Sequence, residues 1–285
     1  QSDQSGDIYN MNFFLALILI INFSFSADKV FVACEGNFYE GNGSLWTISG
    51  NEVIENNNQE NWNVLQSVYV FEDMLFVISN GANIIHVFNI TDSDIEPIAE
   101  INTYGSGPRE MIVHDGSLYF TNWYTADVKK VNLGTWSIES EISMPGLPED
   151  IVKKDGVLYI SIIMNHDWTD GNQVVALDPA SNTIIEYYDV GAGPSELLVF
   201  ENDVYISRTY YDADWNAFYG TSRISDNGVD VIDYGFGAVC GGGILKFQES
   251  VYRVYDGGIA QLDSDLGILP ETRIGSYDAE EIYSA

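Results

Sequence analysis

Residues 105–132 read GSGPREMIVHDGSLYFTNWYTADVKKVN, and they contain the pattern that the rest of the chain repeats. A Gly-x-Gly-Pro turn leads into a short apolar run, an Asp-Gly turn follows, and two further short runs, LYFTN and VKKVN, come after it. Each run is too short for a typical helix and is bounded by Gly, Asp, Asn or Pro. The stretch therefore predicts a meander of antiparallel β-strands.

The aromatic residue of the LYFTN run recurs along the chain at intervals of 40 to 47 residues. A period in the forties with about four short strands per unit is typical of β-propeller blades. The sequence thus predicts an all-β chain built from four-stranded antiparallel blades. The recurring aromatics are Phe31, Phe76, Tyr119, Tyr159, Tyr205 and Tyr252.

Six blades are visible in the sequence, and we name the strands of each blade a to d from the centre outwards. The first, residues 28–57, supplies only three runs, which match strands b, c and d. Five full blades follow at about residues 64–102, 107–143, 147–190, 193–235 and 240–275. The final AEEIYSA aligns with the strand-a run PREMIV. Either this segment pairs with the first blade and closes a six-bladed ring, or the chain is clipped and the native ring has seven blades.

The N-terminal region differs from the repeats. Residues 1–10 resemble nothing downstream, and we interpret them as an upstream extension. Residues 11–26 contain a nine-residue apolar core followed by small residues, which fits a signal peptide cleaved before Ala27 and is too short to span a bilayer. A buried strand or an uncleaved anchor is the alternative, since no basic segment precedes the core. We expect residues 27–285 to form one propeller domain, periplasmic or extracellular at a bacterial cell surface, without a membrane span after cleavage.

The composition is strongly acidic, with 43 Asp and Glu against 11 Lys and Arg and a formal net charge of −32. Such a surface argues against nucleic acid and anionic lipid as partners, and it favours cations or cationic partners. Solubility in a salty setting is the simpler explanation for most of the charge. We expect a monomer.

The chain contains two cysteines, Cys34 and Cys240. In an exported protein an even number permits one disulfide, provided that the two Cα atoms lie within about 7 Å of each other. The alternative is that both are small buried residues without a special role.

The succession of Gly-x-x-Pro, strand, Asp-Gly, LYFTN, polar loop and V-x-x-V-N-L resembles the YVTN-repeat β-propellers, which are related to the NHL-type propellers and to the β-chain of quinoprotein amine dehydrogenases. The resemblance covers nearly all of residues 28–285 and is clearest in GSGPREMIVHDGSLYFTN, GLPEDIVKKDGVLYIS and GAGPSELLVFENDVYIS. It weakens in the first and sixth blades. It implies an exported propeller of binding or unassigned function, and it supplies no catalytic motif.

Aligning the starts of the strand-a runs places one residue of each blade in a common column at the mouth of the central channel. Converging carboxylates raise one another's pKa unless a cation offsets the repulsion, and Ca²⁺, which takes six to eight oxygen ligands, would do so. The acids of this column are therefore candidate metal ligands. Alternatively, each acid bonds amides in its own blade, too far from the others to share one ion. The column contains Ser67, Glu110, Asp150, Glu196, Gly243 and Glu281.

The b-to-c loops on the same face are rich in aromatic residues, and two of them, residues 164–172 and 208–221, are long and share an Asp-Trp pair. Aromatic platforms beside polar groups suit sugar rings or an organic cation. Alternatively, the aromatic rings pack on one another and only hold the loops in place. The candidate ligand-binding residues are Arg109, Trp123, Tyr124, His166, Trp168, Arg208, Tyr210, Tyr211, Trp215 and Tyr219.

The sequence contains no Gly-x-Ser-x-Gly, phosphate-loop or dinucleotide motif in the strand-to-helix context that each requires. We predict a non-catalytic module that binds a glycan, a small cationic ligand or an exported protein, with Ca²⁺ as a candidate ion. One alternative is a metal-dependent hydrolase or lyase of the gluconolactonase-like propeller type, with His166 as its acid–base group. Another is a structural surface protein.

Overall fold

The computed structural model describes residues 29–56, 62–237 and 243–275. Within these ranges every regular element is a β-strand, and the 23 strands form six antiparallel sheets arranged as a β-propeller. The predicted fold and the six visible blades are thereby confirmed. Five predictions concern residues outside these ranges: the extension at 1–10, the signal peptide at 11–26, the closing strand at 280–285, a disulfide to Cys240, and the role of Glu281.

Among the described residues no helix is long and apolar enough to cross a membrane.

Blade 1 has three strands, and the remaining blades have four each. Blade 1 comprises β1 (Val30–Cys34), β2 (Ser44–Ser49) and β3 (Glu52–Glu55). Blade 2 comprises β4 (Leu65–Phe71), β5 (Met74–Ser79), β6 (Ile84–Ile90) and β7 (Ile95–Asn102). Blade 3 comprises β8 (Pro108–His114), β9 (Ser117–Asn122), β10 (Asp127–Asn132) and β11 (Ser137–Ser143).

The last three blades follow the same plan. Blade 4 comprises β12 (Leu147–Lys154), β13 (Val157–Met164), β14 (Asp170–Asp178) and β15 (Thr183–Asp189). Blade 5 comprises β16 (Pro194–Phe200), β17 (Asp203–Tyr211), β18 (Ala217–Ser225) and β19 (Gly228–Phe236). Blade 6 comprises β20 (Ile244–Phe247), β21 (Ser250–Tyr255), β22 (Gly258–Leu262) and β23 (Ile268–Ile274).

Strands within a blade pair in chain order, and the first strands of neighbouring blades contact one another from β4 through β8, β12 and β16 to β20. These first strands are therefore the innermost ones and line the central channel. The hydrophobic core lies between neighbouring sheets. Phe76 and Phe120 belong to the cluster between blades 2 and 3, and Tyr119 belongs to the cluster between blades 3 and 4. In blades 2 to 6 the recurring aromatics lie on the second strand, and Phe31 lies on β1, which corresponds to strand b in the three-stranded blade 1.

Strand a of blades 3, 4 and 5 contains a β-bulge at one common place, where two residues face a single residue on strand b. That single residue carries a hydroxyl group, which accepts a hydrogen bond of 3.0 Å from the backbone N–H of the second bulge residue in all three blades. A bulge re-aims the side chain that it carries. The three hydroxyl residues are Thr121, Ser161 and Ser207, and the second bulge residues are Glu110, Asp150 and Glu196.

The same hydroxyls also connect neighbouring blades. Thr121 donates to the carbonyl oxygen of Glu149 at 2.6 Å, and Ser161 donates to that of Ser195 at 2.6 Å. Thr121 and Ser161 thus each satisfy a backbone amide of their own blade and a backbone carbonyl of the next one. This bulge clamp holds the acidic residues of strand a in a fixed position.

The two long loops of the sequence-based prediction are shorter in the structure. Strands β13 and β14 leave only residues 165–169 as a turn, and β17 and β18 leave only residues 212–216. The aromatic residues extend the strands because they have high β-propensity and pair across the ladder, as Tyr210 does with Phe218. The face therefore carries two projecting hairpins where long irregular loops were expected.

Candidate functional site

Three acidic side chains of the bulge positions line the channel. Asp150 accepts hydrogen bonds from the backbone N–H of Leu197 at 2.6 Å and of Ile151 at 2.7 Å. Glu196 accepts one from the backbone N–H of Ile244 at 3.2 Å. Asp150 and Glu196 therefore bond strand a of the following blade, whereas Glu110 bonds Ser67 on strand a of the preceding blade. The acids thus help to hold successive blades together.

The environment makes these acids harder to ionise. Burial raises the pKa of Asp150 to about 6, although hydrogen bonds from Leu197 and Ile151 act in the other direction. Burial and the neighbouring Asp150 raise the pKa of Glu196 to about 7. Burial, followed by the charges of Asp150 and Glu149, raises the pKa of Glu110 well above its usual range. The acids are close enough for their charges to interact, so ionisation of one opposes ionisation of the others.

The Ca²⁺ prediction is not settled by this arrangement. Within residues 29–56, 62–237 and 243–275, no group of three or more His, Cys, Asp or Glu side chains lies close enough together to hold a metal ion. Glu281, the fourth proposed ligand, lies outside those ranges. Glu110, Asp150 and Glu196 bond amide or hydroxyl groups of neighbouring blades, whereas the simpler interpretation of the column placed the partners of each acid in its own blade. Their role as metal ligands stays a prediction.

Arg109 connects three blades at the edge of the channel. Its Nε and Nη2 atoms donate to the Glu149 carboxylate at 3.0 and 2.7 Å, and its Nη1 atom donates to the Gln66 amide oxygen at 2.5 Å. Its guanidinium carbon lies 4.0 Å from the centroid of the Trp123 ring. Burial opposes the charge of Arg109, yet Glu149 outweighs it and raises the arginine pKa. Arg109 is thus a charged and rigidly held group.

Aromatic side chains of blades 3, 4 and 5 lie close together on the face that carries the b-to-c turns. Trp123 contacts Trp168 edge to face at 6.2 Å between centroids, and Tyr211 contacts Trp215 at 6.2 Å. The two hairpins also touch directly, because the backbone N–H of Tyr211 donates to the Asp170 carboxylate at 3.1 Å. We call this set the aromatic arc; it comprises Trp123, Tyr124, Trp168, Tyr211 and Trp215.

The two projecting hairpins end in turns of the same form. Residues 165–169 close with a hydrogen bond of 2.8 Å from Asn165 N–H to Thr169 carbonyl, and residues 212–216 close with the equivalent bond of 3.1 Å. The fourth residue of each turn has a positive φ, 67° at Trp168 and 63° at Trp215. The side chains of these tryptophans are 56% and 83% exposed. Each turn therefore presents one tryptophan to solvent.

The remaining candidate ligand-binding residues lie apart from the arc. Arg208 is buried within blade 5, where it donates to the Ile232 carbonyl at 2.7 Å and to the Asp233 carboxylate at 2.5 Å. Tyr210 stacks on Phe218 and Tyr219 contacts Tyr234, both at the base of the same hairpin. His166 is exposed at the tip of the blade 4 hairpin. The structure thus brings Arg109, Trp123, Tyr124 and Trp168 together and places Arg208 inside the blade.

A cavity of about 160 Å³ adjoins Arg109 at the junction of blades 1, 2 and 3. Six of its nine lining residues were not among the candidate ligand-binding residues. No motif marks them, because they come from three separate blades. The cavity is lined by Glu35, Phe38, Gln66, Asn80, Arg109 and Tyr124, among others.

The clamp hydroxyls were also missed, although a signal for them exists. Each lies two residues after the strand-b aromatic, as in Tyr119 and Thr121, Tyr159 and Ser161, and Tyr205 and Ser207. In blade 2 the same position is Ile78, and in blade 6 it is Val254. Comparing this position with the acidic column would have identified both sets together.

No family model matches the chain, and no curated protein sequence matches it. Similar solved structures are β-propeller proteins. A candidate 6-phosphogluconolactonase from Bacteroides uniformis has a TM-score of 0.62 at 8% identity, over 89% of this chain and 84% of that one. A Lactobacillus plantarum protein has a TM-score of 0.61 at 8% identity, over 87% and 81%. The Neurospora crassa Pan2 WD40 domain has a TM-score of 0.60 at 11% identity, over 83% and 72%. At these identities the likeness shows the fold alone, and the resemblance to YVTN-repeat propellers stays a prediction.

Proposed function

We propose that this propeller is a non-catalytic binding module and that its ligand is a glycan held along the aromatic arc. The observation that carries this proposal is the pair of solvent-exposed tryptophans on equivalent turns of neighbouring hairpins. Sugar rings have apolar faces and polar edges, so they bind to aromatic platforms that have hydrogen-bonding groups nearby. Asp167 and Asp170 lie beside Trp168 in the sequence and supply such groups on blade 4.

The hairpins support the proposal in a second way. Each is a regular two-stranded ladder closed by a defined turn, and Asp170 joins the two. Aromatic residues on rigid elements lose little conformational entropy on binding. If the tryptophans served only to pack the loops, burial of their rings would be expected, whereas both remain more than half exposed.

The test is binding of the folded protein to a panel of soluble oligosaccharides and polysaccharides, followed by titration calorimetry. The double change Trp168→Ala with Trp215→Ala should weaken the best ligand by about 10-fold or more, since each ring contact contributes roughly 0.5–1.5 kcal/mol. Tyr187→Ala removes a ring that is 53% exposed on the outer strand of blade 4 and serves as the matched control. Loss of affinity in the control, or full affinity in the double variant, would contradict the proposal.

We also propose that the protein acts after export, as the apolar segment at residues 13–21 suggests. N-terminal sequencing of the protein recovered from the periplasm or medium should find Ala27 as the first residue. Recovery of an intact N-terminus from the cytoplasm would contradict export. A glycan outside the cell is then accessible to the arc.

A second candidate function is supported by the acidic column. Carboxyl groups with a pKa near neutrality suit general acid–base chemistry, and a Ca²⁺ ion would complete a hydrolase or lyase site at the channel mouth. The similar structures include a candidate 6-phosphogluconolactonase, a name that denotes a hydrolase. The residues proposed to bind the ion are Glu110, Asp150, Glu196 and Glu281, with His166 as the acid–base group.

Thermal unfolding in chelator against millimolar Ca²⁺, with Mg²⁺ as control, tests this candidate. A site filled at 100 times its Kd stabilises the fold by about 2.7 kcal/mol, which raises the Tm by roughly 5–10 °C in a domain of this size. Glu110→Gln combined with Glu196→Gln should abolish the shift. An unchanged Tm in Ca²⁺ removes the metal-dependent enzyme and leaves the glycan proposal intact.

A further inference from the structure

The cavity between blades 1, 2 and 3 lies beside one end of the aromatic arc. Trp123 and Tyr124 belong both to the arc and to the wall of the cavity. Glu35 and Phe38 come from the b-to-c loop of blade 1, and Gln66 comes from strand a of blade 2. A ligand that follows the arc from blade 5 towards blade 3 therefore reaches the cavity at its end.

The hydrogen-bonding groups of the cavity wall are only partly used within the protein. Three of the five N–H groups of Arg109 are bonded to Glu149 and Gln66, which leaves two. The amide oxygen of Gln66 accepts a hydrogen bond from Arg109, and its amide N–H groups have no partner among the described residues. The side-chain N–H of Asn80 donates to the Pro108 carbonyl at 2.8 Å, and the side-chain oxygen of Asn80 is available as an acceptor. The wall thus offers donors on one side and acceptors on the other.

One donor in the wall is both buried and unused. The indole Nε1 of Trp123 has no hydrogen-bond partner among the described residues. Such a donor costs roughly 1–3 kcal/mol, and because the atom is inaccessible, the donors and acceptors that a ligand meets are those of Arg109, Gln66 and Asn80. A hydroxyl group both donates and accepts, so a polyhydroxylated ring fits this mixture better than a purely cationic or purely anionic group.

The charges and rings of the wall narrow the class of ligand further. The positive charge of Arg109 is matched by Glu149, while Glu35 is exposed and adds a negative charge. An anionic sugar would therefore be repelled, in the field of a protein with a net charge of −32. Phe38 and Tyr124, which are 67% and 65% exposed, offer apolar faces for stacking.

We propose that this cavity binds a single uncharged pyranose ring, the terminal residue of the glycan that lies along the arc. The inference deepens the glycan proposal and rests on it. The volume of about 160 Å³ is on the scale of one sugar ring, so internal residues of the chain contact the arc and only the end enters the cavity.

The experiment is a titration of the folded protein with five methyl pyranosides, those of glucose, galactose, mannose, xylose and N-acetylglucosamine, followed by tryptophan fluorescence, since Trp123 lies in the wall. At least one should bind with a Kd in the millimolar range, which corresponds to about −3 to −4 kcal/mol. Phe38→Ala and Tyr124→Ala should each weaken that binding by about 5-fold. Tyr39→Ala removes the neighbouring ring, 94% exposed and outside the cavity wall, and should change nothing.

Further binding measurements distinguish this inference from the proposal that a glycan lies along the aromatic arc. Trp168→Ala with Trp215→Ala should leave methyl pyranoside affinity unchanged while weakening the oligosaccharide of the same sugar. Glucose 6-phosphate should bind at least about 10-fold more weakly than methyl glucoside, because Glu35 repels the phosphate. Glu35→Gln should change methyl pyranoside affinity by less than about 3-fold, since the amide keeps an acceptor.

If oligosaccharides bind and the methyl pyranosides do not, or if Phe38→Ala has no effect, the terminal-ring inference is wrong and the arc proposal stands. If choline binds and Glu35→Gln abolishes it, the cavity is a cation site and the inference is overturned. Absence of binding by every sugar, long or short, would remove both proposals together.

Discussion

Blades 3, 4 and 5 differ from blades 2 and 6 in the inner strand, although all five share the same four-stranded order. The three middle blades have a two-residue bulge, an acid in it, and a hydroxyl on strand b that bonds it. Blade 2 has the same bulge, but its second residue is Ser67 and the residue opposite it is the apolar Ile78. In blade 6 the residue equivalent to the clamp hydroxyl is the apolar Val254. The fold itself needs only the interblade core, so the bulge clamp is an additional feature.

The same three blades also carry the aromatic arc. Two of them have extended hairpins, and the third holds Arg109 against Trp123. Chemical groups that can interact with a ligand are therefore concentrated on one side of the ring, and the cavity lies at the border between the two regions. The comparison shows that blades with nearly equal scaffolds differ in the side chains that they present at this face of the ring.

The largest expected effect comes from breaking one clamp. Thr121→Val keeps the shape of the side chain but leaves the Glu110 amide and the Glu149 carbonyl without the hydroxyl. We expect the free energy of unfolding to fall by about 2–4 kcal/mol, measured by urea denaturation. The equivalent residue in blade 2 is already apolar, so Ile78→Val should cost only about 0.5–1.5 kcal/mol. Equal losses at the two sites would show that the clamp does not distinguish the regions.

The second expected effect is a dependence of the free energy of unfolding on pH, caused by the buried acids of the middle blades. Asp150 and Glu196 have raised pKa values, about 6 and about 7, so the folded state keeps protons that the unfolded state loses as the pH rises above 4. The free energy of unfolding should therefore fall by about 1–3 kcal/mol between pH 5 and pH 8. Glu196→Gln should flatten this slope in denaturation curves taken at several pH values.

The control for the pH effect is Asp212→Asn in the blade 5 turn. Hydrogen bonds from Asn216 lower the pKa of Asp212, so its contribution to stability is lost only as the pH falls towards and below the usual aspartate value. Its replacement should leave the slope between pH 5 and pH 8 unchanged. A slope that is unchanged in Glu196→Gln would show that Glu196 does not contribute to the pH dependence.

A smaller effect is expected at the turn that opens blade 3. Gly105 and Gly107 both have positive φ, 75° and 67°. A Cβ at Gly107 would lie 2.8 Å from Cδ2 of Tyr124, whereas at Gly105 nothing lies within 4 Å. Gly107→Ala should thus cost about 1 kcal/mol more than Gly105→Ala in thermal unfolding, and it should displace Tyr124 from the arc. Equal costs would mean that Tyr124 moves aside freely and is not held in place for binding.

The smallest effect concerns the arc itself. Trp215→Gly relieves a positive φ and removes an exposed ring that touches Tyr211. These changes oppose each other, so the free energy of unfolding should shift by less than about 0.5 kcal/mol in urea denaturation. A loss above about 1.5 kcal/mol would show that the ring supports the hairpin, and the arc would then belong with the scaffold.

The sequence was sufficient to predict the blades because the boundaries of blades 3 to 6 carry Gly or Gly-Pro turns and each repeat carries an aromatic residue in its strand-b run. It also placed Glu110, Asp150 and Glu196 in one column, since that column depends on register alone. It could not show that Arg208 points into blade 5, because burial of an arginine depends on partners such as Asp233 that are distant in sequence. The cavity walls were missed for the same reason, because Glu35 and Asn80 approach Arg109 only once three blades are assembled.

The bulge clamp has a consequence for how the ring opens. The amide hydrogens of Glu110 and Asp150 are bonded to hydroxyls that also hold the next blade, so neither amide is released while its neighbouring blade stays in place. In deuterium exchange these two amides should share a single slow rate, close to that of global unfolding. Blades 3 and 4 together with the start of blade 5 would then form one cooperative unit, although a propeller blade looks like an independent repeat.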